Sequence, residues 1–324
     1  MIIERLKKEG LKGRGGAAFP TGLKWEAVKN AKADKKYVIC NASEGEPGVL
    51  KDLFILRKYP EEVIKGINLA MREIGSDSAY IFLNPKYFPK LEKKLKKAIK
   101  DLPIVLFKKP HGYICGEEST LLNVIEGKPK MPRLKPPFPT EKGLWDYPTL
   151  INNVETFYQA VQVAEGKYKA ERFYTLGGKV KKKGIAVLPE NFTVRQILEH
   201  TGNWPNFDFF VQVGGGMSGE ILVSEELDRP AGGAGSIIIY KKNANPMKIM
   251  RKWARFFMNE SCGQCVPCRE GTFRLNEALK RKDFDRELVE DILFVLSEAS
   301  LCPLGKGAAV PFIGYLNKIY AKKP

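Results

Sequence analysis

The sequence predicts an α/β protein with three parts: a domain of alternating strands and helices, a small α+β module and a C-terminal helical bundle. The pattern of apolar residues changes near residues 168 and 244. The chain of 324 residues is long enough for several domains with hydrophobic cores of their own. We therefore predict domains at 1–167, 168–243 and 244–324.

The first domain shows a βαβ pattern, which is typical of a parallel sheet. The segments KKYVICNA (35–42) and SAYIFLN (78–84) have the composition of strands, and an amphipathic helix, EEVIKGINLAMREIG (61–75), lies between them. A further strand, a glycine-containing turn and a helix start follow within 104–128. The proline-rich run PRLKPPFP (132–139) predicts an extended, rigid loop.

The second and third parts differ in the elements that they contain. Short β-rich runs separated by glycines fill residues 171–241, and one helical stretch, TVRQILEHTG (193–202), interrupts them. These runs are too short for a doubly wound sheet, so we predict a small α+β module. A helical pattern then returns, and PFIGYLNKIYAKK (311–323) is its last predicted helix. The helices predicted before it are 246–261, 269–282 and 286–300.

The net charge of the chain limits the kinds of ligand and partner that it can bind. The formal net charge of +17 fits nucleic acid, anionic cofactors and acidic proteins alike. However, no basic stretch is interleaved with aromatic residues, and LEKKLKKAIK (91–100) has the pattern of an exposed helix face. We therefore expect no nucleic acid partner. The abundance of lysine is typical of proteins from thermophiles.

The sequence also predicts the compartment. The N-terminus, MIIERLKKEG, is too charged for a signal peptide, and no apolar run approaches the ~20 residues of a membrane span. We expect a cytoplasmic protein without a membrane span of its own. Association with a membrane through partner subunits is compatible with this expectation. In that reducing compartment the six cysteines predict metal or cofactor ligation rather than disulfides.

Four of the six cysteines lie in the predicted helical bundle. Cys262, Cys265 and Cys268 form C-x2-C-x2-C, and Cys302 follows later, again beside a proline. Zinc sites usually consist of two separated C-x2-C pairs, whereas three cysteines in one tight loop with a remote fourth are typical of a [4Fe–4S] cluster. Structural zinc and buried free thiols are the alternatives. Two isolated cysteines are predicted to be buried without a ligand role: Cys40 and Cys115.

Two glycine-rich segments match the G-x-G-x-x-G/A pattern of dinucleotide-binding loops. In GRGGAAFPTGLKW (13–25) the preceding segment has a helical pattern, whereas the fingerprint requires a strand there. The second match, at Gly214, follows a strand but leads into another strand, which predicts a β-turn. The first loop still carries cations and rings that suit a phosphate and a flat ligand: Arg14, Lys24, Phe19 and Trp25. A loop that only turns the chain is the alternative.

Six motifs carry a family resemblance: GRGGAAFPTGLKW, CNASEGEPG (40–48), YICGEES (113–119), RLKPPFP (133–139), LINNVET (150–156) and ESCGQCVPCREG. Together they resemble the NADH-binding flavoprotein subunit of respiratory complex I, from about residue 10 to residue 320. The same family includes flavin subunits of NAD-linked hydrogenases and formate dehydrogenases. The resemblance implies FMN in a modified Rossmann-like domain, NAD(P)H stacked on it, a β-grasp module, and one [4Fe–4S] cluster in the helical bundle.

The resemblance also implies a set of site residues. The implied FMN residues are Gly13, Arg14, Gly15, Gly16, Lys24, Asn41, Glu44, Tyr113, Gly116, Glu117, Asn152 and Asn153. The implied NAD(P)H residues are Phe19, Glu46, Glu118, Lys135 and Phe138. The implied cluster ligands are Cys262, Cys265, Cys268 and Cys302. No catalytic acid or base is implied, because hydride transfer to a flavin needs alignment rather than a protein proton donor.

Two positions depart from the family pattern. Ser43 stands where the family usually has an aspartate near the flavin, and Ala27 stands where we expect an aromatic residue. Both departures leave the preference between NADH and NADPH open.

The expected function is that of an electron-input subunit in a multisubunit oxidoreductase. Hydride passes between NAD(P)H and FMN, and single electrons pass between FMN and the cluster. The implied partners are a small [2Fe–2S] thioredoxin-like subunit and a further iron–sulfur or catalytic subunit. The alternative within the family is the flavin subunit of an electron-bifurcating or NAD(P)+-reducing hydrogenase, formate or aldehyde oxidoreductase complex.

Two further alternatives come from other classes of protein. In the first, the flavin domain has lost its activity and the cluster only relays electrons, an idea motivated by Ser43 and Ala27. In the second, the chain is a nucleic-acid-binding iron–sulfur protein, motivated by the net charge. Bleaching of a flavin by NADH would exclude the first, and a lack of nucleic acid binding at low salt would exclude the second.

Overall fold

The computed structural model describes residues 1–320, which divide into two compact units. The first unit comprises residues 1–45 and 50–173. The second unit comprises residues 46–49 and the chain from residue 174 onward. The boundary that we predict at residue 244 lies within the second unit, and the division into three domains stays a prediction.

The first unit is built on a four-stranded parallel sheet with helices between its strands. The strands are β1 (Tyr37–Ala42), β2 (Ser78–Leu83), β3 (Ile104–Lys108) and β4 (Thr149–Asn153), in the order β3-β2-β1-β4. The helices are α1 (Ile2–Lys8), α2 (Thr21–Asn30), α3 (Lys51–Lys58), α4 (Pro60–Ile74), α5 (Phe88–Ile99), α6 (Glu118–Ile125) and α7 (Val154–Ala164). The predicted βαβ segments correspond to β1, α4 and β2, and the predicted α/β class is confirmed.

Helix α4 shows how local sequence and packing act together. Pro60 lies in its first turn, where the missing N–H has no helical partner, and Gly75 ends it in a left-handed conformation at φ +73°. Its buried apolar side chains recur at helical spacing: Val63, Ile64, Ile67, Ala70, Met71 and Ile74. Burying each large apolar side chain contributes about 1.5–3 kcal/mol. A methyl group on Gly66 would overlap the backbone of Phe157 in α7, so only glycine allows this close approach of the two helices.

The second unit contains a five-stranded mixed sheet in the order β6-β5-β9-β7-β8. Its elements are β5 (Glu171–Gly178, in this unit from Tyr174), β6 (Gly184–Pro189), α8 (Val194–His200), β7 (Phe209–Val213), β8 (Glu220–Val223) and β9 (Ser236–Lys241). Helix α8 packs into the core of the sheet through Val194, Ile197 and Leu198. One helix on such a sheet is the predicted β-grasp arrangement. Strands β7 and β8 are antiparallel neighbours, which confirms the β-turn predicted at Gly214.

Four helices complete the second unit: α9 (Pro246–Glu260), α10 (Val266–Ala278), α11 (Arg286–Ala299) and α12 (Pro303–Tyr315), with a π-helical turn at Leu316–Tyr320. They form the predicted helical bundle, and α12 also contacts the β-grasp sheet, where Phe210 and Tyr315 place their ring centroids 5.4 Å apart. Across residues 1–320, every helix is either too short or too polar for a bilayer span.

Helices α10 and α12 both begin earlier than predicted. Helix α10 starts at Val266 rather than residue 269, and α12 starts at Pro303 rather than residue 311. In both helices a cysteine, Cys265 or Cys302, occupies the N-cap position and a proline lies in the first turn. The segment PLGKG has no helical period, which concealed the first turns of α12. Residues 321–323 of the last predicted helix lie outside the described part of the chain.

Candidate functional site

The strand order of the first unit reverses between β1 and β4. From β1 the chain continues to β2 and β3 on one side, and β4 then returns to the other side of β1. In open α/β sheets, ligands bind at the carboxyl ends of the strands at such a reversal. The β1–β4 register pairs Cys40 with Asn152 and Asn41 with Asn153. Three predicted FMN asparagines therefore lie at the point where a ligand is expected.

The glycine loop lies close to this reversal and remains open. Residues 14–17 form an exposed turn apart from the buried side chain of its first residue. A methyl group on Gly15 would lie 3.5 Å from Asn153 Cβ, whereas a methyl group on Gly16 would meet no atom within 4 Å. Gly16 also has φ +121°, which other residues rarely adopt. The loop therefore leaves its backbone accessible beside Asn153, as a phosphate-binding loop requires.

Hydrogen bonds close the neck of this loop. Gly13 N donates to Phe19 O at 2.8 Å, and Arg14 N donates to Thr156 Oγ1 at 2.9 Å. The Arg14 side chain is buried, and its Nη2 donates to Tyr168 Oη at 3.3 Å. Arg14 therefore anchors the loop to the body of the first unit, while the exposed glycines form its rim.

A cluster of charged side chains lies around Lys24. Lys24 Nζ is 3.6 Å from Glu118 Oε2, and Lys135 Nζ is 2.7 Å from Glu118 Oε1 and 3.1 Å from Glu117 Oε1. Lys24 Nζ also lies 5.9 Å from the centroid of the Phe19 ring. The structure thus brings together residues predicted for FMN, Lys24 and Glu117, with residues predicted for NAD(P)H.

Glu117 has a second, structural task at the start of α6. It is the N-cap residue, and its Oε2 accepts hydrogen bonds from Ser119 N at 3.0 Å and Thr120 N at 2.8 Å. Burial opposes ionisation, but the bonds from Ser119 and Thr120 and the charge of Lys135 outweigh it and lower the pKa of Glu117. Glu117 is therefore an ionised group in a fixed orientation.

Asn41 connects the end of β1 to the turn Tyr113–Gly116. Its Nδ2 donates to Gly116 O at 2.9 Å, and its Oδ1 accepts from Ser43 Oγ at 2.6 Å. Gly116 N donates to Tyr113 O at 2.9 Å and closes the turn. A methyl group on Gly116 would lie 2.7 Å from Ser43 Oγ and would displace that hydroxyl. Ser43, which replaces the aspartate expected in the family, is thus part of the support for Asn41.

The two predicted stacking rings are both accessible. Phe19 and Phe138 are each 51% exposed, which is unusual for phenylalanine and suits a face that binds a flat ligand. Phe138 N donates to Glu141 Oε2 at 3.0 Å, which fixes the backbone of its loop. No ring contact joins the two phenylalanines in the described part of the chain. Their contact with a dinucleotide stays a prediction.

Glu44 has its carboxylate engaged at the start of α3. It accepts from Asp52 N at 2.7 Å, Leu53 N at 3.1 Å and Tyr87 Oη at 2.8 Å. Its φ of +23° is strained for a glutamate. The side chain predicted for FMN binding therefore orders the loop after β1, and its contact with FMN stays a prediction.

Glu46 belongs to the second unit and is held there by the turn after β7. Its Oε1 accepts from Met217 N at 2.7 Å and Ser218 N at 3.0 Å, and its Oε2 accepts from Ser218 Oγ at 3.1 Å. A methyl group on Gly215 would lie 2.6 Å from Glu46 Oε1, so the turn is shaped around this carboxylate. Its assignment to NAD(P)H stays a prediction.

Three of the four predicted cluster cysteines lie at the N-termini of two helices, and Cys262 lies in the loop before α10. Cys265 is the N-cap of α10, Cys302 is the N-cap of α12, and Cys268 lies in the first turn of α10. Free N–H groups and the positive end of the helix dipole face outward at both sites. Arg269 Nη1 donates to Gly263 O at 2.9 Å and closes the loop that carries the first three cysteines. The two helix ends therefore favour a negatively charged group.

The four thiols interact with one another. Burial raises the pKa of Cys268 to about 11, against a hydrogen bond with Ser261, and the other three cysteines add to the rise. They are Cys262 and Cys265, both half-buried, and Cys302, which is buried. Four neighbouring thiolates need compensating cations, which the irons of a cluster supply. The donor set therefore fits a [4Fe–4S] cluster.

Within residues 1–320, no three His, Cys, Asp or Glu side chains are arranged around a single metal ion. A zinc site requires its ligands within ~2.3 Å of one ion, whereas a cubane takes one thiolate on each of four separate irons. Cys40 and Cys115 are both fully buried and lie in the first unit, away from this donor set in the chain.

Comparisons with known proteins match both the N-terminal and the C-terminal part of the chain. Residues 6–162 match the family model of the Nuo51 FMN-binding domain, and residues 248–322 match that of the NADH-ubiquinone oxidoreductase-F iron-sulfur binding region. The NADH-quinone oxidoreductase F subunit of Streptomyces coelicolor is 33% identical over 98% of this chain and 80% of its own. The chain belongs to the family of NADH-quinone oxidoreductase F subunits. The F subunit of Aquifex aeolicus is 35% identical over 94% of this chain and 80% of its own.

A solved structure shares the fold of this family member. The crystal structure of an NAD+-reducing [NiFe]-hydrogenase in the H2-reduced state matches with a TM-score of 0.91 and 31% sequence identity. The match covers 99% of this chain and 61% of the hydrogenase chain, so the chain spans less than two thirds of that protein. The predicted family, fold class and cofactors, FMN and a [4Fe–4S] cluster, are thereby confirmed.

A buried charge network around Asn153 was missed by the sequence analysis. Lys51 Nζ is 2.7 Å from Asp52 Oδ1, 3.2 Å from Glu155 Oε2 and 2.6 Å from Asn153 Oδ1. Asn153 Nδ2 in turn donates to Asp52 Oδ2 at 2.7 Å. The side chains of the lysine and both carboxylates are at most 3% exposed. This network fixes the side chain of Asn153. In the sequence, the network is indicated only by charged residues that lie beside the motifs of the family resemblance.

Other missed residues hold the loops that follow the strands. Asn84 comes directly after β2, and its Nδ2 donates to Ser43 O at 2.8 Å and Glu44 O at 2.9 Å. In the orientation that gives both the oxygen and the nitrogen of the Asn152 side-chain amide a hydrogen-bond partner, Oδ1 accepts from Trp25 Nε1 at 2.8 Å. Polar residues directly after parallel strands are a usable signal, because these positions meet at one edge of the sheet.

Glu44 should make the stability of the chain depend on pH. Burial and the nearby Asp52 raise its pKa from an ordinary 4.5 to about 7. Between these values the folded chain keeps a proton that the unfolded chain releases, so the free energy of unfolding falls as the pH rises. Glu44→Gln removes this titration and should flatten the fall. Denaturant unfolding of both proteins at several pH values between about 4.5 and 8 measures it.

The matched control is Glu61→Gln, because Glu61 is an exposed glutamate in α4. This variant should keep the pH dependence of the unmodified chain. Identical slopes for the unmodified chain and Glu44→Gln would show that the Glu44 carboxyl titrates normally.

Proposed function

We propose that this chain is the electron-input subunit of a multisubunit oxidoreductase, in which NAD(P)H, FMN and a [4Fe–4S] cluster are linked. The observation that carries the proposal is the presence of two sites in one chain. One is an open glycine loop at the strand-order reversal, and the other is a set of four cysteines at, or just before, two helix N-termini. Each site lies within its own family match. When bound, FMN supplies the chemistry that joins a two-electron hydride donor to one-electron carriers.

The residues at the strand reversal would bind and orient the flavin. The exposed amides of Gly15 and Gly16 and the charge of Lys24 suit the phosphate. Asn41, Asn152 and Asn153 are each fixed by a neighbour, so their polar groups have defined directions. The remaining proposed FMN residues are Gly13, Arg14, Glu44, Tyr113, Gly116 and Glu117. Hydride transfer requires only that these residues hold the flavin in position.

A second group would bind the dinucleotide. The exposed rings of Phe19 and Phe138 suit stacking on a base, and Lys135 suits a phosphate. Glu118 and Glu46 carry carboxylates that suit ribose hydroxyls. The preference between NADH and NADPH and the direction of electron flow are left open by this proposal.

The four cysteines would carry the cluster: Cys262, Cys265, Cys268 and Cys302. The N-termini of α10 and α12 and the Arg269 side chain would stabilise its negative charge. A cluster that relays electrons needs an electron acceptor or donor on another subunit. We therefore propose a small [2Fe–2S] thioredoxin-like subunit and a further iron–sulfur or catalytic subunit as partners, in the cytoplasm, with any membrane attachment made by partner subunits. The net charge of +17 suits acidic partner surfaces.

A second candidate function is favoured by one observation. The structural match to an NAD+-reducing hydrogenase covers 99% of this chain at a TM-score of 0.91. The same electron-input role would then serve a hydrogenase, or a related bifurcating, formate or aldehyde oxidoreductase complex. Sequencing of the subunits that co-purify with the native protein distinguishes these complexes.

The test of the proposed function is anaerobic reduction by a nicotinamide dinucleotide. Protein that carries flavin and iron should lose its visible flavin absorbance on addition of NADH or NADPH, and a reduced-cluster EPR signal should follow. Gly116→Ala should lower bound flavin several-fold, because the added methyl group lies 2.7 Å from Ser43 Oγ and displaces the support of Asn41.

The matched control is Gly232→Ala, whose added methyl group meets no atom within 4 Å. It should bind flavin normally and be reduced normally. Flavin that neither nucleotide reduces would leave only the electron-relay alternative, and colourless protein without iron would contradict the proposal. Tight, salt-dependent binding of nucleic acid would favour the remaining alternative.

A further inference from the structure

A buried hydroxyl without a hydrogen-bond partner lies close to the cluster cysteines. Ser300 ends α11, two residues before Cys302, and is only 3% exposed. Within the described residues, its Oγ has no hydrogen-bond partner. A buried hydroxyl that makes no hydrogen bond costs about 1–3 kcal/mol, so its retention calls for a physical reason.

The surroundings of Ser300 show where this hydroxyl lies. A methyl group on Gly305, in the first turn of α12, would overlap the Ser300 hydroxyl and would lie 3.1 Å from Cys268 Cβ. Ser300 and Cys268 are therefore both neighbours of Gly305 in α12. The hydroxyl therefore lies near Cys268 and beside the first turn of α12, whose N-cap residue is Cys302.

A second hydroxyl lies beside the same sulfur. Ser261 Oγ is 3.4 Å from Cys268 Sγ, and Gly263 N donates to Ser261 Oγ at 3.4 Å. Because the oxygen accepts from the amide, its own hydrogen is free to be donated toward the sulfur. Two serines thus border Cys268, one on its own loop and one at the end of α11.

We propose that the hydroxyls of Ser261 and Ser300 donate hydrogen bonds to sulfur atoms of the [4Fe–4S] cluster and raise its reduction potential. This inference rests on the proposed function, which places a cluster on the four cysteines. Reduction adds one electron to the cluster and makes its sulfurs more negative. A fixed hydrogen-bond donor stabilises that reduced form more than the oxidised form. The two serines are positioning and tuning residues, since the cysteines alone would hold the irons.

The test is a redox titration followed by EPR, on Ser300→Ala and Ser261→Ala in protein that carries its cluster. At a fixed potential, each variant should show an about tenfold lower ratio of reduced to oxidised cluster, which equals about 59 mV for a one-electron couple. Iron content should stay unchanged. In pulsed EPR after exchange into deuterated water, each variant should also lose a coupling from an exchangeable proton.

The matched control is Ser236→Ala. Ser236 is a fully buried serine in β9 whose hydroxyl also has no hydrogen-bond partner within residues 1–320. This variant should leave the potential unchanged, which separates cluster tuning from the general effect of removing a buried hydroxyl. If Ser300→Ala failed to keep iron, Ser261→Ala would decide the matter.

Two other outcomes have distinct meanings. Unchanged potentials in iron-loaded Ser300→Ala and Ser261→Ala would overturn the inference and leave the proposed function intact. A lack of iron in the unmodified chain after anaerobic reconstitution would overturn the proposed function itself.

Discussion

Cys302→Ala should abolish the EPR signal of the [4Fe–4S] cluster and leave the flavin bound. Cys302 is the one predicted ligand outside the loop of residues 262–268, and alanine offers no atom to the iron that would lose it. The predicted FMN residues belong to the first unit and the cysteines to the second, so flavin content should not change. Iron and sulfide analysis, flavin absorbance and EPR of the dithionite-reduced protein measure the outcome. The expected loss of the cluster signal is complete.

The matched control is Cys115→Ala, which removes a fully buried thiol from the first unit. It should keep both iron and the EPR signal. A full cluster signal in Cys302→Ala would refute the ligand assignment. Loss of flavin together with iron would show that the two units do not hold their cofactors independently.

Lys51→Met should destabilise the chain strongly and release flavin. Lys51 is the cation among the buried carboxylates of Asp52 and Glu155, and Glu44 adds its charge nearby. Removal of one partner from a buried ion pair costs about 3–5 kcal/mol, because the remaining charges have no compensation. Asn153, which accepts a hydrogen bond from Lys51 Nζ, should also lose its orientation. Denaturant unfolding and bound-flavin content measure the two effects.

The loss should be larger at high pH than at low pH. Burial raises the pKa of the Asp52 carboxyl, and the charge of Lys51 opposes that rise. Without the lysine, Asp52 keeps its proton to higher pH in the folded chain than in the unfolded chain, so stability falls as the pH rises. The control is Lys96→Met, which removes an exposed ion pair with Glu92 and should change stability little. A Lys51→Met variant as stable as Lys96→Met would show that the network contributes nothing to folding.

Much of the fold was predictable because periodicity depends on local sequence. Strands β1 and β2 and helix α4 follow from apolar alternation and helical spacing. The start of α12 was missed because its first turns contain proline and two glycines and are selected by packing. A methyl group on Gly305 of this helix, for example, would lie 2.5 Å from Ser300 Cβ. Such a requirement for small residues leaves no periodic signal.

The sequence predicted which residues belong to the candidate site better than it predicted the contacts of their side chains. The motifs identified Arg14 and Glu44, but the partners of their side chains depend on tertiary structure. Glu44 caps α3, and the Arg14 guanidinium binds Tyr168 inside the fold. The link between Lys51 and Asn153 joins residues separated by 102 positions, so no window of local sequence contains it.

The second unit includes residues 46–49, although the rest of that unit begins only at residue 174. A gene fragment that stops at residue 173 would encode these residues without the amides of Met217 and Ser218 that bind Glu46. A fragment that starts at residue 174 would lack Glu46 itself. Neither half is therefore self-contained, and on the ribosome Glu46 cannot reach its hydrogen-bond donors until the chain has been translated past Ser218.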